Sequence, residues 1–197
     1  MASRIGSVRG DVLAIEILEV GGGRVIDELV VALPDESLVD LMVNEVHAID
    51  GVSVEHVRET DGGYTDVSLS SLSAAADLAE SEPDRRLDSL VEGVAQLTDA
   101  TWVLVARAGE VVASRGEVPT AEWVTSLLAG SSHLGDPHAT SSDTFWSNMF
   151  WTDMFWSDMR ASGMWVAAGR EGRTVHDRER LRLDLFARIA DAILAAD

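Results

Sequence analysis

DVLAIEILEV (residues 11–20), GGG (21–23) and RVIDELVVAL (24–33) form the stretch on which the reading of the fold turns. Side chains of an extended chain alternate between faces, so Leu13, Ile15 and Ile17 share one side while Ala14, Glu16 and Leu18 share the other. That is the pattern of a half-buried strand. Gly21, Gly22 and Gly23 accept positive φ without penalty, and the β-branched run that follows predicts an antiparallel hairpin. Pro34 ends it. Asp35 then predicts the N-cap of a helix to about Ile49, with Leu38, Met42, Val46 and Ile49 at helical spacing. Val52, Val54 and Val57 read as a last short strand before Asp61, Gly62 and Gly63, and Ala2 to Val8 reads as helical in front.

Strand, strand, helix, strand is the tail of a βαββαβ ferredoxin-like unit. With its segments DVLAIEILE, GGGRVIDELVVALP and DGVSVEHVRE, the stretch from Asp11 to Arg58 resembles ACT domains, regulatory modules that dimerise and bind an amino acid at the dimer interface. The resemblance implies a homodimer, an amino-acid ligand, and ligand-facing positions at Gly10, Asp11, Val12 and Leu13. It also exposes a departure. The family's first strand and the Gly-containing loop after it have no counterpart between Met1 and Gly10. That strand belongs mid-sheet, so the expectation is that it comes from upstream of Met1 or from a partner's edge.

Farther along, Ser68 to Glu80 reads as a weak linker helix before the break at Ser81, Glu82 and Pro83. Leu87, Leu90, Val91, Val94 and Thr98 then form a helical stripe, and TWVLVARA (101–108) with EVVAS (110–114) forms a hairpin about Gly109. A short helix capped by Thr120 follows, with Val124, Leu127 and Leu128 on its buried side. A strand at Met164 to Ala168 and a helix from about Asp177 to Leu194 close the chain. From about residue 84 to 195 this order resembles a minimal GAF domain, a sensory fold of helices packed on an antiparallel sheet. The expected class is therefore α+β: an ACT-like unit lacking its first strand (1–60), a linker with a weak helix (61–83), and a small GAF-like α/β sandwich (84–197).

Composition narrows the function. Thirty-four acids against fifteen bases, net −19, argue against nucleic-acid partners, which need Lys and Arg to neutralise phosphates. Every basic residue is arginine, a bias of GC-rich bacterial genomes, so Schiff-base lysines and Walker-type loops are impossible. The chain has no cysteine, which removes disulfides and thiolate chemistry and fits the cytoplasm. No apolar run is long enough for a membrane span or signal peptide.

The candidate constellations are few. FWSNM, FWTDM and FWSDM (145–159) are tandem near-copies, and nine of their fifteen residues are Phe, Trp or Met. A period of five matches neither a strand nor a helix, so the segment reads either as a slipped duplication without a role or as an apolar contact surface. His133 and His138 in HLGDPH, with Asp136 and Asp143 nearby, do not amount to a metal set and read as a solvated loop. No serine sits in a nucleophile elbow, and the adjacent acids Asp27/Glu28 and Asp35/Glu36 are explained by strand and helix-start positions. The expectation is a non-catalytic regulatory or sensor protein without cofactor or metal, homodimeric and amino-acid binding. The alternative is an interaction protein that has lost its ligand and associates through the 145–159 repeat.

Overall fold

The computed structural model describes residues 1–60, 66–120, 122–124, 126, 148–149 and 152–196. The chain divides into two compact units, Met1–Thr65 and Asp66–Asp197.

The first unit is built on the quoted hairpin. β1 (Asp11–Gly21) pairs antiparallel with β2 (Arg24–Ala32), with Ile15 opposite Leu29 and Glu16 opposite Glu28. Gly22 and Gly23 take φ of 56° and 77°, the left-handed pair that a two-residue turn between twisted strands requires. Helix α1 (Ala2–Ser7) and helix α2 (Val39–His47) complete the unit. Asp35 caps as expected, accepting from the Ser37 N–H at 2.8 Å, but it opens a single 3-10 turn, Glu36–Leu38, before α2 begins. Ile5, Val8, Leu18 and Val46 are the buried apolar side chains of this unit, and Arg4 of α1 meets Glu45 of α2 at 3.0 Å.

The strand expected at Val52 to Val57 does not form. The sheet of this unit has two strands, and the Val54 N–H donates to His47 Nε2 at 3.1 Å instead of to a ladder. No third strand joins the ribbon among the described residues, although each of its two strands keeps an unpaired edge. The structure thus supports a mixed α+β chain with antiparallel sheets, while the βαββαβ arrangement is not completed.

The second unit begins earlier than the sequence suggests. Helix α3 (Val67–Glu80), read above as part of a linker, is capped by Asp66, which accepts from the N–H groups of Ser68 and Leu69. Its Ala74 and Leu78 are buried in the core of this unit, so the segment is a packed element rather than a spacer. Helix α4 (Arg86–Thr98) buries Leu90, Val91 and Val94, the stripe visible in the sequence, and ends at Asp99 in the left-handed region, φ 52°.

Five antiparallel strands follow: β3 (Trp102–Arg107), β4 (Glu110–Arg115), β5 (Asn148–Met149), β6 (Thr152–Met159) and β7 (Met164–Glu171), in the order β4-β3-β7-β6-β5. Helix α5 (Asp177–Leu194) closes the unit at the bounds its periodicity predicts. Cross-strand rows assign the faces. Val103–Ala168–Phe155 and Val105–Val166–Ser157 point to one side, against the helices, and Trp102–Gly169–Met154 and Leu104–Ala167–Trp156 point to the other. On that second side Val124 is fully buried in a helical turn that Thr120 opens by accepting from the Trp123 N–H, whereas Leu127 and Leu128 lie outside the described residues.

The pentapeptide repeat is resolved by this sheet in part. Its last copy, FWSDM (155–159), lies in strand β6, which starts three residues earlier in the second copy: Phe155, Ser157 and Met159 face the helices and Trp156 and Asp158 face away. Phe155 and Met159 are core residues, so this copy is not an accessory contact surface. The period of five does not set the strands: β6 runs from Thr152 of the second copy through the last, and Asn148–Met149 of the first copy form β5. Residues 145–147 and 150–151 of the earlier copies, with His133 and His138, lie outside the described residues.

Candidate functional site

The outward face of the β1–β2 ribbon is the feature that ordinary packing leaves unexplained. Alternation sends Ala14 and Glu16 to the half-buried side and Leu18 into the core, which forces Leu13, Ile15 and Ile17 outward. Leu13, Ile15, Ile17, Val20 and Val25 are between 48 and 70 % exposed. In a half-exposed sheet the polar residues belong on the wet side, and here they do not. Asp27, opposite Ile17 in the register, is the acid on this face, and each strand also has an unpaired edge.

Of the positions to which the family resemblance assigns a ligand, Gly10 is buried and Asp11 and Leu13 are exposed. The space beside Gly10 is filled: a Cβ there would come within 2.7 Å of Ile5 Cγ2 and 3.2 Å of Leu33 Cδ2, and the Gly10 N–H already donates to the Ile5 carbonyl at 3.0 Å. Val12 is half-buried and pairs with Val31. Asp11, Val12 and Leu13 start a strand, and Gly10 packs against Ile5 of α1. Leu13 alone joins the outward apolar face, and the rest of that face carries no signal in the resemblance.

A second uncovered apolar surface lies on α5, where Leu181, Leu185 and Ile189 are 45 to 60 % exposed. Leu69 and Leu72 are also exposed on α3, which packs against α5. The spacing of the α5 residues was available in the sequence. Its meaning was hidden because both faces of α5 carry leucine, Leu183 inward and Leu181 and Leu185 outward.

The buried Arg170–Glu179 pair of the second unit has a structural explanation. Arg170 and Glu179 are each 4 % exposed and joined bidentately, at 3.0 and 2.9 Å. Arg170 also donates to the carbonyls of Thr98, Arg173 and Thr174, so one guanidinium ties α4, β7 and the approach to α5 together. Burial pushes the Glu179 carboxyl up, but the hydrogen bonds and charge of Arg170, the charge of Arg173 and the His176 N–H outweigh it and hold the group below its ordinary value. With every polar atom of the pair engaged, the arrangement locks rather than reacts. A shallow cleft lies at the α4–β4 edge, lined by Glu92, Gln96, Asp99 and Arg115, and Glu92 and Arg115 pair across it at 3.3 Å.

Among the described residues no group of three His, Asp or Glu side chains is placed to hold a metal ion, and no helix is long and apolar enough to cross a membrane. No family model matches the chain, and no curated protein matches it. Solved structures do show likeness. The gliding protein MglB from Thermus thermophilus is 14 % identical with a TM-score of 0.44, the alignment covering 59 % of this chain and 94 % of that one. An MglB structure described as having a tetrameric arrangement is 16 % identical with a TM-score of 0.39, covering 58 % and 94 %. MglB has a roadblock/LC7-like fold. At these scores the likeness assigns neither a family nor an activity.

Proposed function

We propose that the protein is a non-catalytic regulatory component that acts through association, and that it forms a homodimer in which the outward face of the β1–β2 ribbon is covered. The observation that carries this reading is the exposure of Leu13, Ile15, Ile17, Val20 and Val25 on one ordered face. Contiguous apolar surface of this kind is unfavourable in water at roughly 25 cal/mol per Å², and an isolated two-stranded ribbon is marginal without something packed on it. Association removes both liabilities.

An amino-acid sensor working through Gly10 to Leu13 is the competing function, and the packed surroundings of Gly10 favour association over it. Two measurements separate them. Light scattering on a dilution series should give twice the 21.2 kDa chain mass at high micromolar concentration and fall towards the single-chain mass on dilution. Calorimetry against the twenty amino acids should be silent. A 21.2 kDa species throughout, together with specific micromolar heat from one amino acid, would replace association with sensing.

A further inference from the structure

Within the first unit, the segment after α2 is held by a titratable acceptor. His47, the last residue of α2, accepts the Val54 N–H on Nε2 at 3.1 Å. A neutral imidazole carries one N–H, so a ring that accepts on Nε2 keeps its proton on Nδ1. Protonation puts a second N–H at Nε2 and turns the acceptor into a donor that faces another donor. The contact with Val54 then cannot persist.

The released segment has a place to go. Val52 and Val54 are half-buried while Ser53 and Glu55 are exposed, which is the alternation of a strand. Arg58 meets Glu28 of β2 at 4.0 Å, so the far end of the segment is within a side chain's reach of that strand. β2 is also the more regular of the two edges, because the register shifts leave Leu13 and Leu18 as extra residues in β1 and none in β2. Gly21 and Arg24 close the two-residue turn as a hydrogen-bonded pair, so the even-numbered residues of β2 direct their N–H and C=O groups to β1. Val25, Asp27, Leu29 and Val31 direct theirs outward, and such a row of backbone groups is what an added strand pairs with.

We propose that His47 is a proton-operated latch: its neutral ring holds Val52 to Val57 off the sheet, and its protonation releases the segment to pair along the outer edge of β2 as a third strand. The ribbon passes from two strands to three, the number at which a sheet with one apolar face supports itself. The inference concerns the ribbon's edge and does not depend on what covers its face. Imidazole is the ordinary side chain whose charge changes between pH 8 and pH 5. The charged groups on the elements around His47 are Arg4 of α1, held by Glu45 of α2, Glu36 of the 3-10 turn, and Asp50, Glu55 and His56 on the segment itself. His56 is the other imidazole of residues 1–65, so the effect has to be assigned by replacing His47.

Amide hydrogen exchange on the full-length chain tests the latch, at a dilution where light scattering gives the single-chain mass so that association does not contribute. Protection of the outward Leu29 N–H, corrected for the intrinsic rate at each pH, should rise about tenfold from pH 8 to pH 5, the worth of one hydrogen bond. His47→Gln keeps an acceptor that does not titrate, and Leu29 should stay unprotected at both values. His47→Phe accepts nothing, and Leu29 should be protected at both. His47 is exposed, so neither replacement disturbs buried packing, and circular dichroism confirms folding. Wild-type protection that is the same at pH 8 and pH 5 overturns the inference. A His47→Gln chain that responds to pH as the wild type does also overturns it, because another group then moves the segment.

Discussion

Arg170 and Glu179 face each other at 2.9 Å with both side chains removed from solvent, and the pair fastens β7 to the first turn of α5. Glu179 also accepts from the His176 N–H at 2.9 Å, closing the capping box at the helix start, and takes a second arginine, Arg173, at 2.8 Å. Removing Arg170 leaves the buried Glu179 with Arg173 as its remaining cation, and removing the Glu179 charge leaves the buried Arg170 with carbonyls alone. Arg170→Met should therefore destabilise the protein by about 3 to 5 kcal/mol in urea unfolding, and Glu179→Gln by less, because an amide still accepts a hydrogen bond. Equal, small losses would show that the pair is not the fastening described.

The same carboxyl sets an acid limit on stability. Because its pKa is lower in the folded than in the unfolded chain, the unfolded state takes up a proton first as pH falls. The stabilisation is complete above the ordinary glutamate value of about 4.3 and is lost as pH falls through the depressed folded value. Asp191 acts in the same direction: burial pushes it up, but the Ala161 and Ser162 N–H groups and the Ser162 hydroxyl more than offset this. Urea midpoints measured from pH 7 to pH 3 should fall in the acid range, and Glu179→Gln should flatten the decline. An unchanged slope in the variant would remove Glu179 as its cause.

Gly169 offers a purely steric test. It lies opposite Trp102 in the register, and a Cβ at this position would be forced into the indole ring. Gly169→Ala should cost about 1 to 3 kcal/mol through overpacking and shift the Trp102 fluorescence, whereas Gly163→Ala, at a turn with φ of 69° and open space, should strain only the backbone. Fluorescence that is identical in wild type and Gly169→Ala would mean that the indole does not rest on that glycine.

Phe155 decides how the repeat is understood. As a 1 % exposed core residue on β6 it should cost about 3 to 5 kcal/mol when changed to Ala, and deletion of 155–159 should abolish cooperative unfolding because β7 loses most of the strand on one of its two sides. A deletion that still unfolds cooperatively would return the last copy to the status of an accessory segment.

Much of the second unit was legible because its local and long-range signals agree. α4 and α5 each carry a clear apolar stripe, and the β3–β4 hairpin has Gly109 at φ 85° where its turn needs it. The repeat misled because a five-residue period was weighed as a whole, although the eight-residue run Thr152–Met159, which crosses two copies, forms one strand. Val52 to Val57 misled for the converse reason: the residues suit a strand, but whether a segment pairs along an open edge is decided by tertiary context, and here the Val54 N–H goes to His47. The Arg170–Glu179 pair is nine residues apart and joined only by tertiary geometry, so its partnership could not be read from spacing, although Glu179 three residues after His176 is a capping-box position. For the ribbon, Leu13, Ile15 and Ile17 were correctly placed on one face. What the pattern could not show is that nothing in the described residues of its own unit buries that face.

That this face is an association surface is tested most directly by sedimentation equilibrium on the wild type beside Ile15→Asp/Ile17→Asp. The wild type should show a concentration-dependent mass approaching twice 21.2 kDa, and the variant, with the same circular dichroism, should stay at 21.2 kDa across the range. A wild type that is monomeric at every concentration, or a variant that associates as strongly as the wild type, would contradict it.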